Sequence, residues 1–168
     1  MEFFPIFLEI FLTFIVNEQI ISMATTISRK KDLEKVLEKY EPHFRNDIAL
    51  LFQAKKGLKP QAVFDFIGLS ELPHHLVEEV FNKSMKTFQN YLTKNTLLDA
   101  STSEKLLKLF ALYQKGAEVF GSIEGFAEWL TKPAYGIGNV VPQTIIDTAT
   151  GIDLINEELV RIEYGDLA

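Results

Sequence analysis

Few residues in this chain have the types and spacing that do chemistry. Its three histidines are His43, His74 and His75. The last two are adjacent, so on a helix they point about 100° apart and cannot form the i, i+4 pair that grips a metal. Glu78 with Glu79, and Glu157 with Glu158, read as solvated helix faces rather than acid–base dyads. The absence of cysteine removes thiol nucleophiles, disulfides and Cys-bound zinc or iron–sulfur clusters. No nucleophile elbow, phosphate-binding loop or HExxH stretch is present, and the GxG of "YGIGN" follows no strand. The residues therefore predict no enzyme, no metal, no cofactor and no small-molecule substrate, which leaves binding.

Two stretches suit binding. In residues 69–94 a helix, a tight turn near Asn82 and a second short helix give a helix-turn-helix layout. The second helix would present Lys83, Ser84, Lys86, Thr87, Gln89, Asn90 and Lys94 outward. Lys83, Lys86 and Lys94 suit phosphates, and Gln89 or Asn90 suits adenine through paired hydrogen bonds. The plain alternative is two core helices with a solvated lysine face. No arginine lies between Arg45 and Arg161, and arginine makes the commonest paired contact to guanine. The second stretch is 116–168. Trp129 sits at the edge of its helix's apolar stripe, where it could cap the core or anchor a partner. The tail "LVRIEYGDLA" places Leu159 and Ile162 on an inward face and leaves Arg161, Glu163 and Tyr164 around the stop at Gly165.

The elements that carry these residues read as helices nearly throughout. Leu33, Val36, Leu37 and Tyr40 keep helical spacing up to Pro42. A second helix covers about 44–55 with Phe44, Ile48, Leu51 and Phe52 inward and Gly57 as its stop. "KPQAVFDFIG" starts at Pro60 and stops at Gly68, and "SELPHHLVEEVF" runs from Ser70 with Leu72, Leu76 and Val80 inward. Ser84 caps "MKTFQNYLTK", with Met85, Phe88 and Leu92 on the buried side. Residues 101–121 open on a Ser101-x-x-Glu104 capping box and carry Leu106, Leu109, Phe110, Tyr113, Ala117 and Phe120 in one stripe. "SIEGFAEWL" is a short helix, "PAYGIGNVVP" a loop, "PQTIIDTAT" a helix from Pro142 to Gly151, and "DLINEELVRI" a last helix capped by Asp153. No run alternates with period two, so the expected fold is all-α.

The chain has 168 residues, 47% apolar and 24% charged, a balance able to bury a core. Its net charge of −6 confines any nucleic-acid contact to a local basic patch. The apolar stretch "FFPIFLEIFLTFIV" near the N-terminus is broken by Glu9 and is shorter than a bilayer span. It also lacks a signal peptide's positive flank. Residues 1–22 read as an extension upstream of a natural start at Met23, with a docked helix and a membrane anchor as the alternatives. Without Glu2, Glu9 and Glu18 the net charge is −3. The expected organisation is an extension over 1–22, a helix-turn-helix region over 23–100 and a partner-binding domain over 101–168.

The C-terminal residues resemble a known family. "SEKLLKLFALYQKGAEVFGS", "FAEWLTKP" and "VPQTIIDTATGIDLINEELVRIEYG" look like the toxin-binding domain of Xre/MbcA/ParS antitoxins. The pattern is carried by Ala117, Val119–Gly121, Ala127, Trp129, Leu130, Pro133, Pro142, Asp147, Thr148, Gly151, Leu159 and 161–165. It covers about 101–165, and the helix-turn-helix similarity upstream extends it to about 57. Two places depart from the pattern. Gln89 and Asn90 are neutral where the family often has paired arginines, and Asn139-Val140 replaces a glycine and a small polar residue.

The resemblance implies a type II antitoxin, cytoplasmic and without a cofactor. Its implied partner is a RES-domain toxin that consumes NAD or uses it for ADP-ribosylation. In that reading Trp129, Leu159, Arg161, Ile162, Glu163, Tyr164 and Gly165 face the toxin, and the tail closes its NAD pocket. Arg161 would offer a planar fork of donors, Glu163 would pair with basic groups that hold phosphates, and Tyr164 would stack at the rim. The helix-turn-helix would bind operator DNA as a homodimer within a hetero-oligomeric complex. A stand-alone helix-turn-helix regulator without a toxin is the alternative reading.

Overall fold

The computed structural model describes residues 23, 25, 26 and 28–165. The expectations for 1–22 lie outside these residues. Two compact units divide at residue 35. In the first, residues 28–35 are helical and Lys35 pairs with Asp32 at 3.1 Å.

The second unit, 36–168, begins with helical residues 36–44 (α1). It continues with α2 (Asp47–Lys56), α3 (Gln61–Ser70), α4 (His74–Phe81), α5 (Met85–Lys94), α6 (Ala100–Phe120) and α7 (Ile123–Leu130). Two 3-10 turns, η1 (Tyr135–Ile137) and η2 (Pro142–Thr144), lead to α8 (Ala149–Tyr164). Among the described residues the only β feature is an isolated bridge between Ala134 and Val140, so the all-α expectation holds. No described helix is long and apolar enough to cross a membrane.

The 21-residue α6 is the axis of this unit, about 31 Å long at 1.5 Å per residue. Helices α2, α3, α7 and α8 all pack on it. Leu106, Leu107, Leu109, Phe110, Leu112 and Tyr113 are each at most 1% exposed, so α6 is apolar on several sides because it has neighbours on several sides. Aromatic rings link these layers. Tyr40 of α1 stacks on Phe110 at 4.3 Å, Phe66 of α3 meets Phe110 and Tyr113 edge-on, and Tyr113 meets Phe126 of α7. The core thus runs without interruption across residue 100. Asp65 ties α3 to α1 by accepting from Lys39, Tyr40 and Gln61. Burial works against its charge, but these donors outweigh it and hold the carboxyl below its ordinary value. Burial, and then the adjacent carboxylate, push the Tyr40 phenol well above its usual range.

Several local expectations change. Helix α1 continues through Pro42 to residue 44, and Asn46 caps α2 through its side chain. Ile48, Leu51 and Phe52 are 68%, 46% and 67% exposed rather than inward. The inward side of α2 holds Leu50, Gln53 and the small Ala54, which allows a close approach to α6. Leu92 of α5 is likewise exposed. Helix α3 passes Gly68, keeps Ser70, and stops at Glu71 in the left-handed region. Asp99, not Ser101, caps α6, accepting from the Thr102 N–H at 2.9 Å. Pro142 starts only a 3-10 turn. Thr148 rather than Asp153 caps α8, and Gly151 lies within that helix. Gly151 is required there because a Cβ would overlap the Ile145 carbonyl.

Candidate functional site

The α4–α5 pair is closed by two local devices. Asn82 ends α4 in the left-handed region, and Ser84 caps α5 by accepting from the Thr87 N–H. Glu78 of α4 reaches across the turn to accept the Met85 N–H at 2.6 Å. Lys105 of α6 fixes the end of α4 by donating to the Val80 carbonyl at 2.7 Å, and donates also to that of Asp147 at 2.6 Å. The residues expected at a DNA face separate into two groups. Lys83 is engaged internally, 3.0 Å from Thr102 Oγ1 and 3.1 Å from Asp99. Ser84 is spent on its cap, and Thr87 is half-buried beside it. Lys86, Gln89, Asn90 and Lys94 are exposed, and their spacing of three to four places them on one side of α5. Burial works against the Asp99 charge, but the Thr102 N–H and hydroxyl, and then Lys83, outweigh it and hold the carboxyl at about 2.

The second group gathers around the end of α8. Ile152, Ile155 and Leu159 face α6 and are buried, Leu159 completely. Ile162 is half-buried. Glu163 pairs with Lys115 of α6 at 2.5 Å. Tyr164 is 78% exposed on the last turn, and Gly165 ends the helix at a φ of 73°. Arg161 points back toward η1: its Nη1 donates to the Gly136 carbonyl at 3.0 Å, and its Nε lies 3.4 Å from the Glu158 carboxylate. Arg161 Nε also makes a long bond, 3.5 Å, to the Glu157 backbone carbonyl.

Glu158 is the residue that sequence reasoning missed. It is read there as half of a solvated carboxylate pair, yet it is 4% exposed and its Oε1 accepts the Gly136 N–H at 2.9 Å. Its partner lies 22 residues upstream, so no helical spacing signals the contact. Trp129 is half-buried and sits 5.4 Å from the Phe120 ring and 5.9 Å from Phe126, as the rim of the aromatic core.

Elsewhere, a groove of about 530 Å³ lies between α1, α2, α6 and α8, with Phe44, Leu51 and Ile152 in its walls. Its Lys108 is tied to Asp153 at 2.9 Å. Among the described residues no three His, Asp or Glu side chains gather as metal ligands.

Helices α7 and α8, the loop between them and the last turns of α6 form one packed segment, and that segment matches a known family. Residues 115–165 match the family described as the antitoxin Xre/MbcA/ParS C-terminal toxin-binding domain. This segment is therefore similar to the toxin-binding domain of Xre/MbcA/ParS antitoxins, the family its residues resemble. A similar curated protein is the "Prs ADP-ribosylating antitoxin" of Sphingobium sp. (strain YBL2). It is 25% identical over 123 residues, spanning 68% of this chain and 77% of that protein.

Proposed function

We propose that this chain binds and neutralises a RES-domain toxin that consumes NAD or uses it for ADP-ribosylation, and closes the toxin's active site with the end of α8. The observation that carries this reading is the exposed last turn of α8, with Tyr164 78% exposed, inside a segment that matches a toxin-binding domain. The similarity to an antitoxin named for ADP-ribosylation supports the toxin's chemistry. In this reading Ile162, Glu163, Tyr164 and Gly165 approach the toxin, with Trp129 at the margin, while Leu159 and Arg161 hold the helix beneath them. The chain itself performs no catalysis.

We further propose that the protein acts in the cytoplasm as a homodimer within a larger toxin–antitoxin complex, and that α5 binds the operator of its own operon. The exposed row Lys86, Gln89, Asn90 and Lys94 supports the DNA contact. The same row favours the second reading, a stand-alone regulator. The functions of 23–100 and 101–168 then differ, although within the second unit the core runs across residue 100.

Co-expression with a RES-domain toxin, sought first in the adjacent reading frame, tests the proposal. Deleting 159–168 would remove the fully buried Leu159 and with it part of the core. Truncation after Ile162 keeps that anchor. The chain ending at Ile162 is expected to keep its fold by circular dichroism and to lose protection. Cells still protected by it would refute closure by the tail, and a stand-alone regulator would protect in neither form.

A further inference from the structure

We propose that Tyr135 is an aromatic anchor of the toxin contact, and that Glu158 and Arg161 act as a latch that presents it. This rests on the reading that the end of α8 meets a protein toxin. Tyr135 stands on η1 and is 69% exposed, although large aromatic rings are otherwise mostly drawn into this core. The backbone beneath it is rigid. Ala134 donates to the Val140 carbonyl at 3.0 Å, Asn139 donates back to that of Ala134 at 2.9 Å, and Gly138 closes the turn on Tyr135 at 3.0 Å. Both polar groups of the Gly136 residue are then gripped by α8. Its N–H goes to Glu158 and its carbonyl receives the Arg161 guanidinium.

Two physical points favour a partner role over simple packing. Glu158 is buried while the Arg161 side chain is 41% exposed, and such a half-screened pair adds little to stability. Here it fixes a surface loop, and a fixed loop loses little entropy on binding. Tyrosine has only two rotatable side-chain bonds and joins a large apolar face to a hydroxyl, which is why it recurs among the residues that dominate interfaces. The latch also brings Gly136, next to Tyr135, against Arg161, three residues before Tyr164. Both exposed tyrosines thus lie within three residues of this joint at the end of α8, and both lie inside the toxin-binding match. The occupant is a toxin surface with an apolar recess and a hydrogen-bond acceptor for the phenol. Arg161 is a positioning residue in this scheme, not a contact.

Affinity for the purified toxin tests both parts, measured with the full chain. Tyr135→Ala is expected to weaken binding at least tenfold with an unchanged melting temperature, and Arg161→Ala to weaken it similarly. In the Tyr135→Ala background, Arg161→Ala should add less than twofold, because it acts through the same ring. Unchanged affinity of Tyr135→Ala, while truncation after Ile162 abolishes binding, would overturn the anchor and leave the broader function standing. Binding lost by neither would overturn both. Full additivity would show that Arg161 touches the toxin and would overturn the latch. If Tyr135→Ala alters self-association and not toxin affinity, the surface serves a second copy of the chain and the proposal falls.

Discussion

Gly116 lies on α6 where that helix meets α7, and a Cβ built there lands 2.5 Å from Phe126 Cδ1 and closer still to two other ring carbons. Carbon atoms rest at about 3.5–4.0 Å, so Gly116→Ala requires the ring to retreat by more than about 1 Å. Phe126 has nowhere to go: it is fully buried and held by Tyr113, Phe120 and Trp129. Overpacking of this kind costs about 1–3 kcal/mol, and the upper end applies where the neighbour is confined. The better helix propensity of alanine returns about 1 kcal/mol, leaving a net loss of about 2 kcal/mol. For a unit of this size that lowers the melting temperature by about 6–10 °C. Gly68→Ala is the matched control. It is also a helical glycine, but its Cβ meets no atom within 4 Å, so the same substitution should stabilise by about 0.5–1 kcal/mol. Thermal melts of the two variants beside the parent decide the matter. A Gly116→Ala melting temperature at or above the parent's would refute the tight α6–α7 contact.

Asp99→Asn keeps an N-cap but removes the charge that faces Lys83. The folded carboxyl titrates at about 2, below its ordinary value, so its contribution is present above about pH 4 and is lost as pH falls through 2. The side chain is half-exposed, and screening limits that contribution to about 0.5–1 kcal/mol. Urea melts should show parent and variant converging between pH 4 and pH 2; a constant gap would contradict the assignment. Replacing Lys86 and Lys94 together by alanine should weaken binding to the chain's own promoter DNA and reduce the salt-dependence slope by about 2. An unchanged slope would mark that face as merely solvated. Lys83→Ala, by contrast, should lower stability more than DNA affinity, since Lys83 is held by Asp99 and Thr102.

Much of the architecture was legible where a local signal had no rival. The stripe on α6, the stops at Gly57 and Gly121, and the Ser84 cap of α5 all stand where the residues put them. Misreadings came where two signals competed. Ser101 and Asp99 both suit a cap, and the carboxylate with a lysine partner took the role. Ile48, Leu51 and Phe52 keep helical spacing, but small Ala54 lets the opposite side approach α6 more closely. Gly151 reads as a helix stop from its neighbours alone. It is instead a point of close approach to Ile145, which only the folded chain reveals. The candidate site was legible as a region and not as a mechanism. Arg161 and Tyr164 were visible in the tail, but the grip of Glu158 and Arg161 on Gly136 joins residues more than twenty positions apart. No periodicity reports such a contact.

The most direct measurement titrates the purified full chain into the proposed partner, a purified RES-domain toxin, and follows NAD consumption. Neutralisation predicts that turnover falls to background once the chain saturates the toxin, and that the chain ending at Ile162 leaves it running. Undiminished NAD consumption in the presence of excess full-length chain would contradict it.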